Sequence, residues 1–458
     1  MSAVVGSDRV AAASTPSWEG GALPARDLTR YLPAAYLTSV WVAAKYGISA
    51  AGYTDIPFYL LFVAVMFFYI PRKCVFYSIR LALVLVAYEG LKYLQPGFQP
   101  ATAKAAAGIA AFSLIIAVTY GALEMLRDYS NRELARWLRS VLWLVLLGIF
   151  FDYFLYLIGA GIDVEYTSYF VRSLPRFAGL FTEPSILAVA MSPFIFMCIY
   201  DYKFFVEHVG VGAVVLLVLI GLLCPSATFV AVCILAGGAT VLARIGRGKV
   251  LSGLVVVGGV AVLMYVMLSV PVLASRVYGV LYAEDAANLA SQNASSLAFL
   301  KGFNMASYAA VHLPLGVSFQ DMEVLAPHSP VSLISDAWFY HNSTDGSSLL
   351  FKGVSEMGLL FELFAGAGII LVIRRMALRA YRTLFEFLIL AFQFCIYAYF
   401  IRGASYFVGA EPIGLAALIF GLIFDPTFGR WWPKIDPMPD RPGRFGRYVP
   451  SPEGKRNR

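Results

Sequence analysis

The sequence predicts an all-α polytopic membrane protein of about 12 transmembrane helices, with one large loop folded as a mostly helical cap. Three observations carry that prediction. The 458 residues are 60% hydrophobic and 14% charged, against roughly 45–50% apolar and 25% charged in a soluble domain. The apolar residues run in uninterrupted blocks of about 17–25, the length that crosses about 30 Å of hydrocarbon at about 1.5 Å per residue. With both termini placed in the cytoplasm, about three quarters of the 35 basic residues fall on the cytoplasmic side, as the positive-inside rule requires. The abundance of Phe (35) and Tyr (27) excludes low-complexity disorder, and 5 Cys exclude a disulfide framework. The strand alternation of an outer-membrane barrel is also missing.

In chain order, residues 1–30 form a polar, Ser/Ala-rich cytoplasmic leader. Residues 31–273 hold the first nine spans, at 33–52, 55–70, 75–94, 103–125, 138–161, 184–200, 208–224, 226–244 and 250–273. Lys45 makes the first of these the weakest. A loop domain follows at 274–349. Spans ten to twelve, at 353–373, 383–402 and 405–424, lie within a second membrane segment, 350–425. A basic, Pro-rich cytoplasmic tail closes the chain at 426–458. The net charge of +7 is distributed over short cytoplasmic loops and this tail, with no compact aromatic-laced patch, so nucleic acid is not an expected partner. Anionic lipid headgroups are. No internal repeat of a transporter type is visible.

The loop 274–349 is far longer than the connections inside a bundle, and loops of such length are functional or disordered. Its aromatic content, with Phe303, Tyr308, Phe319, Trp338, Phe339 and Tyr340, favours an ordered cap. It holds His312, His328 and His341, three of the 4 histidines. Residues 284–311 have the composition of one or two short helices, with Pro314 and Pro327 as breakers.

Phosphate-loop, zinc-protease and Cys-x-x-Cys motifs are absent, and neither a metal nor a cofactor is expected. Two stretches stand out. In Arg172-Ser-Leu-Pro-Arg176-Phe-Ala-Gly179-Leu-Phe-Thr-Glu183-Pro184-Ser185, two arginines and a carboxylate enter the sixth span, with Thr182 as a cap and Pro184 in the first turn. Either the arginines grip a phosphate-bearing ligand, or they sit among headgroups while Glu183 complements the helix dipole. The second stretch is His341-Asn342-Ser343-Thr344-Asp345-Gly346, followed by Lys352, Glu356 and Gly358. A histidine near a carboxylate at the membrane boundary suits a general base, while an Asn/Ser/Asp/Gly turn accounts for the same residues without chemistry. Arg276 and Arg402 lie on the same outer side, as does Pro225-Ser226-Ala-Thr228. Intramembrane charges at Arg80, Asp152, Glu362, Glu386 and Glu411 are expected to face the bundle interior or pair with one another.

Three segments together resemble the bacterial O-antigen polymerase and O-antigen ligase superfamily, especially its exopolysaccharide polymerases. They are Arg176-x-x-Gly179-x-Phe181-x-Glu183-Pro184, the break Pro225-Ser226-Ala-Thr228, and His341-x-Ser343 followed by Glu356-x-Gly358-Leu359-Leu360 after one large loop. The Arg-x10-Gly repeats of some O-antigen polymerases are not present at Arg172, Arg176 or Arg276.

The resemblance implies an enzyme of the bacterial inner membrane, with both termini cytoplasmic and a periplasmic active site. It would be a metal-independent glycosyltransferase polymerising undecaprenyl-diphosphate-linked oligosaccharide into exopolysaccharide or O-antigen. Ligase-type transfer to another acceptor and lipid or polysaccharide transport are the alternatives. Arg176, Arg276, Arg402 and Arg172 would hold the diphosphate. His341, Glu183 and Glu356 are the candidate catalytic groups, and Trp338, Tyr340, Ser343 and Asp345 would contact sugar. The implied partners are the lipid-linked oligosaccharide, the bilayer, a chain-length regulator and a repeat-unit flippase.

Overall fold

The computed structural model describes residues 25–42, 47–50, 53–57, 59–159, 165–167, 174–181, 183–224, 226–245, 294–336, 339, 343, 346–379, 381–403, 406–407 and 409–419. These are predominantly helical. In order they form α1 (Ala25–Val42), the antiparallel hairpin β1 (Gly47–Ala50) and β2 (Tyr53–Pro57), α2 (Tyr59–Phe67), α3 (Arg72–Lys92), α4 (Thr102–Leu126) and α5 (Asn131–Leu157). A second hairpin, β3 (Glu165–Thr167) and β4 (Leu174–Arg176), precedes α6 (Pro184–Ala190), α7 (Ser192–Tyr200), α8 (Tyr202–His208), α9 (Val211–Leu223) and α10 (Ala227–Ile245). The last helices are α11 (Ala294–His312), α12 (Leu349–Leu378), α13 (Leu384–Tyr399) and α14 (Glu411–Ile419), with 3₁₀ turns at Met322–His328 and Pro330–Leu333.

Five helices, α3, α4, α5, α10 and α12, are long and apolar enough to cross a membrane. The pair α8–α9, bent by 113°, makes a sixth if counted as one span. Among the described residues, the other expected blocks are shorter or broken. Block 33–52 becomes the end of α1 followed by a hairpin; Gly47 and Gly52 lie in it, and each glycine costs a helix about 1 kcal/mol. Block 184–200 is divided at Met191, two residues before Pro193, which has no N–H to continue the helix. Among the described residues, block 405–424 holds the nine-residue helix α14, and block 250–273 lies outside the described residues. The expected helix before Pro314 is present as α11, whereas Pro327 sits inside a 3₁₀ turn.

Apart from Glu386 and Gln393, α13 consists of aliphatic, aromatic and Cys residues, and every one of its residues except Glu386 is buried, as a helix apolar on nearly every side should be. It starts with a capping box, Thr383 with Glu386, so that carboxylate serves the helix end and not an intramembrane pair. Trp41 of α1 fixes the centre: its ring stacks on Phe194 and meets Phe392 edge-on, while Nε1 donates to the Ala190 carbonyl at 2.7 Å. The outer faces of α3 and α5 expose Phe76, Leu83, Val86, Trp143, Leu147 and Phe151, the surface a hydrocarbon solvent favours. Arg80 and Glu362 are exposed rather than turned inward as expected; Asp152 and Glu411 are buried.

The two ends of the bundle differ. The basal end carries Lys73–Glu124, Arg30–Glu133 at 2.6 Å, and Tyr381, which donates to Asp201 Oδ2 at 2.6 Å. Burial and the neighbouring Asp201 carboxylate raise the Tyr381 phenol well above its ordinary range. The opposite, loop end carries α11, the 3₁₀ turns, the start of α12 and the turn after α13. Among its described residues α11 packs on α12, and Met305, Ala309, Met322, Leu325 and Phe351 form a small core of their own.

Candidate functional site

At the loop end α12 is two helical pieces joined by a break. Ser348 caps its start: the hydroxyl accepts from Leu350 N at 3.2 Å and donates to the Phe400 carbonyl at 2.8 Å. The first piece carries Lys352 and Glu356 one turn apart, with Nζ 2.9 Å from Oε1 and both side chains buried. At Gly358 the backbone turns to φ +47°, ψ −132°, a conformation that L side chains rarely adopt. A glycine is also required for space, since a Cβ there would lie 2.1 Å from the Pro314 carbonyl oxygen.

The carbonyls of Ser355, Glu356 and Met357 and the N–H of Leu359, at the break, find partners outside α12, as a buried chain demands. Residues 314–319 run past it as a strap. Leu359 N–H donates to the Pro314 carbonyl at 2.9 Å and Val317 N–H to the Ser355 carbonyl at 2.8 Å. From α3, Tyr88 OH donates to the Met357 carbonyl at 2.7 Å, and Lys92 Nζ to the carbonyls of Glu356 (2.6 Å) and Val317 (2.7 Å). Gln95, just beyond α3, brackets the strap, donating to the Gly316 carbonyl at 2.7 Å and accepting from Leu315 N at 3.0 Å.

Glu183 and Arg402 meet at the same end. Arg402 Nη2 is 2.9 Å from Glu183 Oε2, with the arginine side chain 17% and the carboxylate 43% exposed. Ser185 Oγ also donates to Glu183 at 2.7 Å. Glu183, not Thr182, occupies the cap position of α6, with Pro184 next, and it makes no side-chain capping bond. The turn of Arg402 is tied to α12, because Gly403 N–H donates to the Ser347 carbonyl at 3.1 Å. A guanidinium has five donors, so the carboxylate occupies part of the fork and leaves N–H groups for a phosphate oxygen.

Three of the residues singled out in the sequence, Glu356, Ser343 and Ser226, are buried. Glu356, a candidate catalytic group, has no exposed surface; it pairs with Lys352 and lies within reach of the Tyr406 ring hydroxyl, which Glu411 also neighbours. Ser343, expected to touch sugar, is turned inward and accepts from Lys301 Nζ at 2.7 Å. Lys301 is itself fully buried and also donates to the Phe339 carbonyl at 2.7 Å, since a buried ammonium needs acceptors for its protons. Ser226 Oγ accepts from Thr228 N at 3.2 Å, so that break is a helix start.

Arg176 is the last residue of β4 and pairs with Glu165 through the backbone. His341, Arg172, Arg276, Trp338, Tyr340 and Asp345 lie outside the described residues. The sequence reading missed Tyr88, Glu89, Lys92 and Gln95. Their signal was a polar face at the loop end of the third apolar block, where a lysine needs a partner and Glu89 stands three residues earlier, 2.7 Å away.

No protein-family model matches this chain, and no curated protein or solved structure matches it.

Proposed function

We propose that this chain is a metal-independent glycosyltransferase that polymerises undecaprenyl-diphosphate-linked oligosaccharide repeat units into exopolysaccharide or O-antigen at the periplasmic side of the bacterial inner membrane. In this reading about 12 spans cross the membrane, both termini are cytoplasmic, and the loop end with its helical cap faces the periplasm. An acceptor sugar hydroxyl attacks the anomeric carbon, its C–O bond forms, and the bond to the lipid diphosphate breaks with the electron pair leaving on phosphate. The hydroxyl proton passes to Glu183 or His341. Arginine donors stabilise the departing diphosphate in place of a metal.

The observation that supports this reading is the Arg402–Glu183 pair. It joins residues 219 positions apart at the end where the loop and the broken helix meet. One is a cation suited to phosphate and the other a carboxylate of the segment resembling the polymerases. The test uses the full chain reconstituted in lipid with undecaprenyl-diphosphate oligosaccharide, reading polymer length. Arg402→Lys, which keeps charge but loses the fork, and Glu183→Gln are expected to slow elongation about 100-fold, the scale of one lost oxyanion donor. Unchanged polymer in both variants overturns the reading. Transfer to a lipid A core acceptor but not to a second repeat unit assigns ligase chemistry instead.

A transporter of lipid-linked sugar is the second reading, favoured by the discontinuous α12 and the 113° bend between α8 and α9. Movement of lipid-linked sugar across vesicles without elongation would select it.

A further inference from the structure

We infer that Lys92 is a positioning residue for the transfer reaction: from the end of α3 it locks the first piece of α12, and through it Glu356 and the Arg402 turn, in one arrangement. The inference rests on the proposed function. Lys92 is 1% exposed. Its ammonium has three protons and three acceptors: Glu89 Oε2 at 2.7 Å, the Val317 carbonyl at 2.7 Å and the Glu356 carbonyl at 2.6 Å. One acceptor belongs to its own helix, one to the strap and one to the carbonyl end of the first α12 piece. A cation at a helix C-terminus also complements the partial charge there.

The first piece of α12 is tied at both ends. At its start Ser348 holds the Phe400 carbonyl and Ser347 holds Gly403, which adjoins Arg402. Near its finish Lys92 holds the carbonyl of Glu356. Nine residues of helix, about 13 Å at 1.5 Å per residue, therefore form a strut from the Arg402–Glu183 pair to Lys92. Glu89, Lys92 and Gln95 bond to the strap and Tyr88 to α12 beside it, with Glu89 Oε1 accepting from Phe319 N at 3.3 Å. Release of Lys92 removes the one group that ties α3, the strap and the Glu356 carbonyl together and leaves that end to the Tyr88–Met357 and Val317–Ser355 hydrogen bonds, while every residue that would meet substrate is intact.

The test compares wild type, Lys92→Met, Lys92→Arg, Tyr88→Phe and a control, Lys104→Met, all as the full chain in lipid. Lys104 pairs with Asp321 at 3.0 Å and with Glu323, holding the far part of the loop without touching the break. Two readouts are taken: amide hydrogen exchange in peptides covering 313–320 and 354–362, and steady-state elongation. Lys92→Met is expected to speed exchange in both peptides at least tenfold and to lower kcat at least tenfold with KM within twofold. Lys92→Arg should recover part of kcat, and Lys104→Met should leave both peptides and kcat at wild-type values. Tyr88→Phe, which removes a single bond at the same break, should move both readouts in the same direction by less, and it stands in if Lys92→Met does not fold. Exchange that stays at the wild-type rate, or exchange that rises while kcat does not change, overturns the inference. Absence of elongation by wild type overturns the proposed function instead, a result the exchange data keep separate.

Discussion

Replacing Gly358 by alanine tests the break in α12 most directly. At φ +47°, ψ −132° an L residue carries strain of about 1–3 kcal/mol. The new methyl would lie 2.1 Å from the Pro314 oxygen and 2.8 Å from Gly316 N, both backbone atoms that cannot swing aside. The strap must withdraw, and it carries the Leu359–Pro314 and Val317–Ser355 hydrogen bonds with it. Each buried group left without a partner costs about 1–3 kcal/mol, so the whole change amounts to about 5 kcal/mol. Thermal unfolding of the detergent-solubilised protein should show a midpoint lower by at least about 5 °C, with faster amide exchange at 313–320. An alanine variant with wild-type midpoint and wild-type exchange would refute the account of the break.

Two further outcomes follow from the same end of the molecule. Lys352→Met leaves Glu356 buried without its ammonium and should destabilise the fold by about 3–5 kcal/mol, while the double change Lys352→Met, Glu356→Gln should recover part of it; equal midpoints for wild type and the single variant would show that the pair contributes nothing. Gly302→Ala places a methyl 2.1 Å from the Gly346 carbonyl oxygen and should cost about 1–3 kcal/mol in the same assay, whereas no change would mean that α11 is not seated on that turn.

Much of the helical framework was legible because its signals are local. The apolar blocks 75–94, 103–125, 138–161, 226–244 and 353–373 each fall on a helix long enough to cross a membrane. The capping boxes Ser130–Glu133 and Thr383–Glu386 that start α5 and α13 were not singled out, and Glu386 was expected inside the membrane. The pairing of Glu183 with Arg402 was not legible: both were singled out separately, but nothing in either segment indicates the other. The burial of Glu356 and Ser343 was not legible either, because Lys301 reaches Ser343 through the fold and the setting of the Lys352–Glu356 pair is made by packing. Lys92 was passed over inside an apolar block, its partners lying 225 and 264 residues away.

By itself the sequence determined a helical chain with several runs long and apolar enough to cross a membrane. Hydrocarbon admits only chains that satisfy their own backbone, and long apolar helical runs meet that condition locally. The tertiary structure alone decided where a helix breaks and which charges are buried together. A broken helix end is tolerable in an apolar interior only when remote donors and acceptors arrive to complete it, and their arrival is a property of packing, not of spacing along the chain.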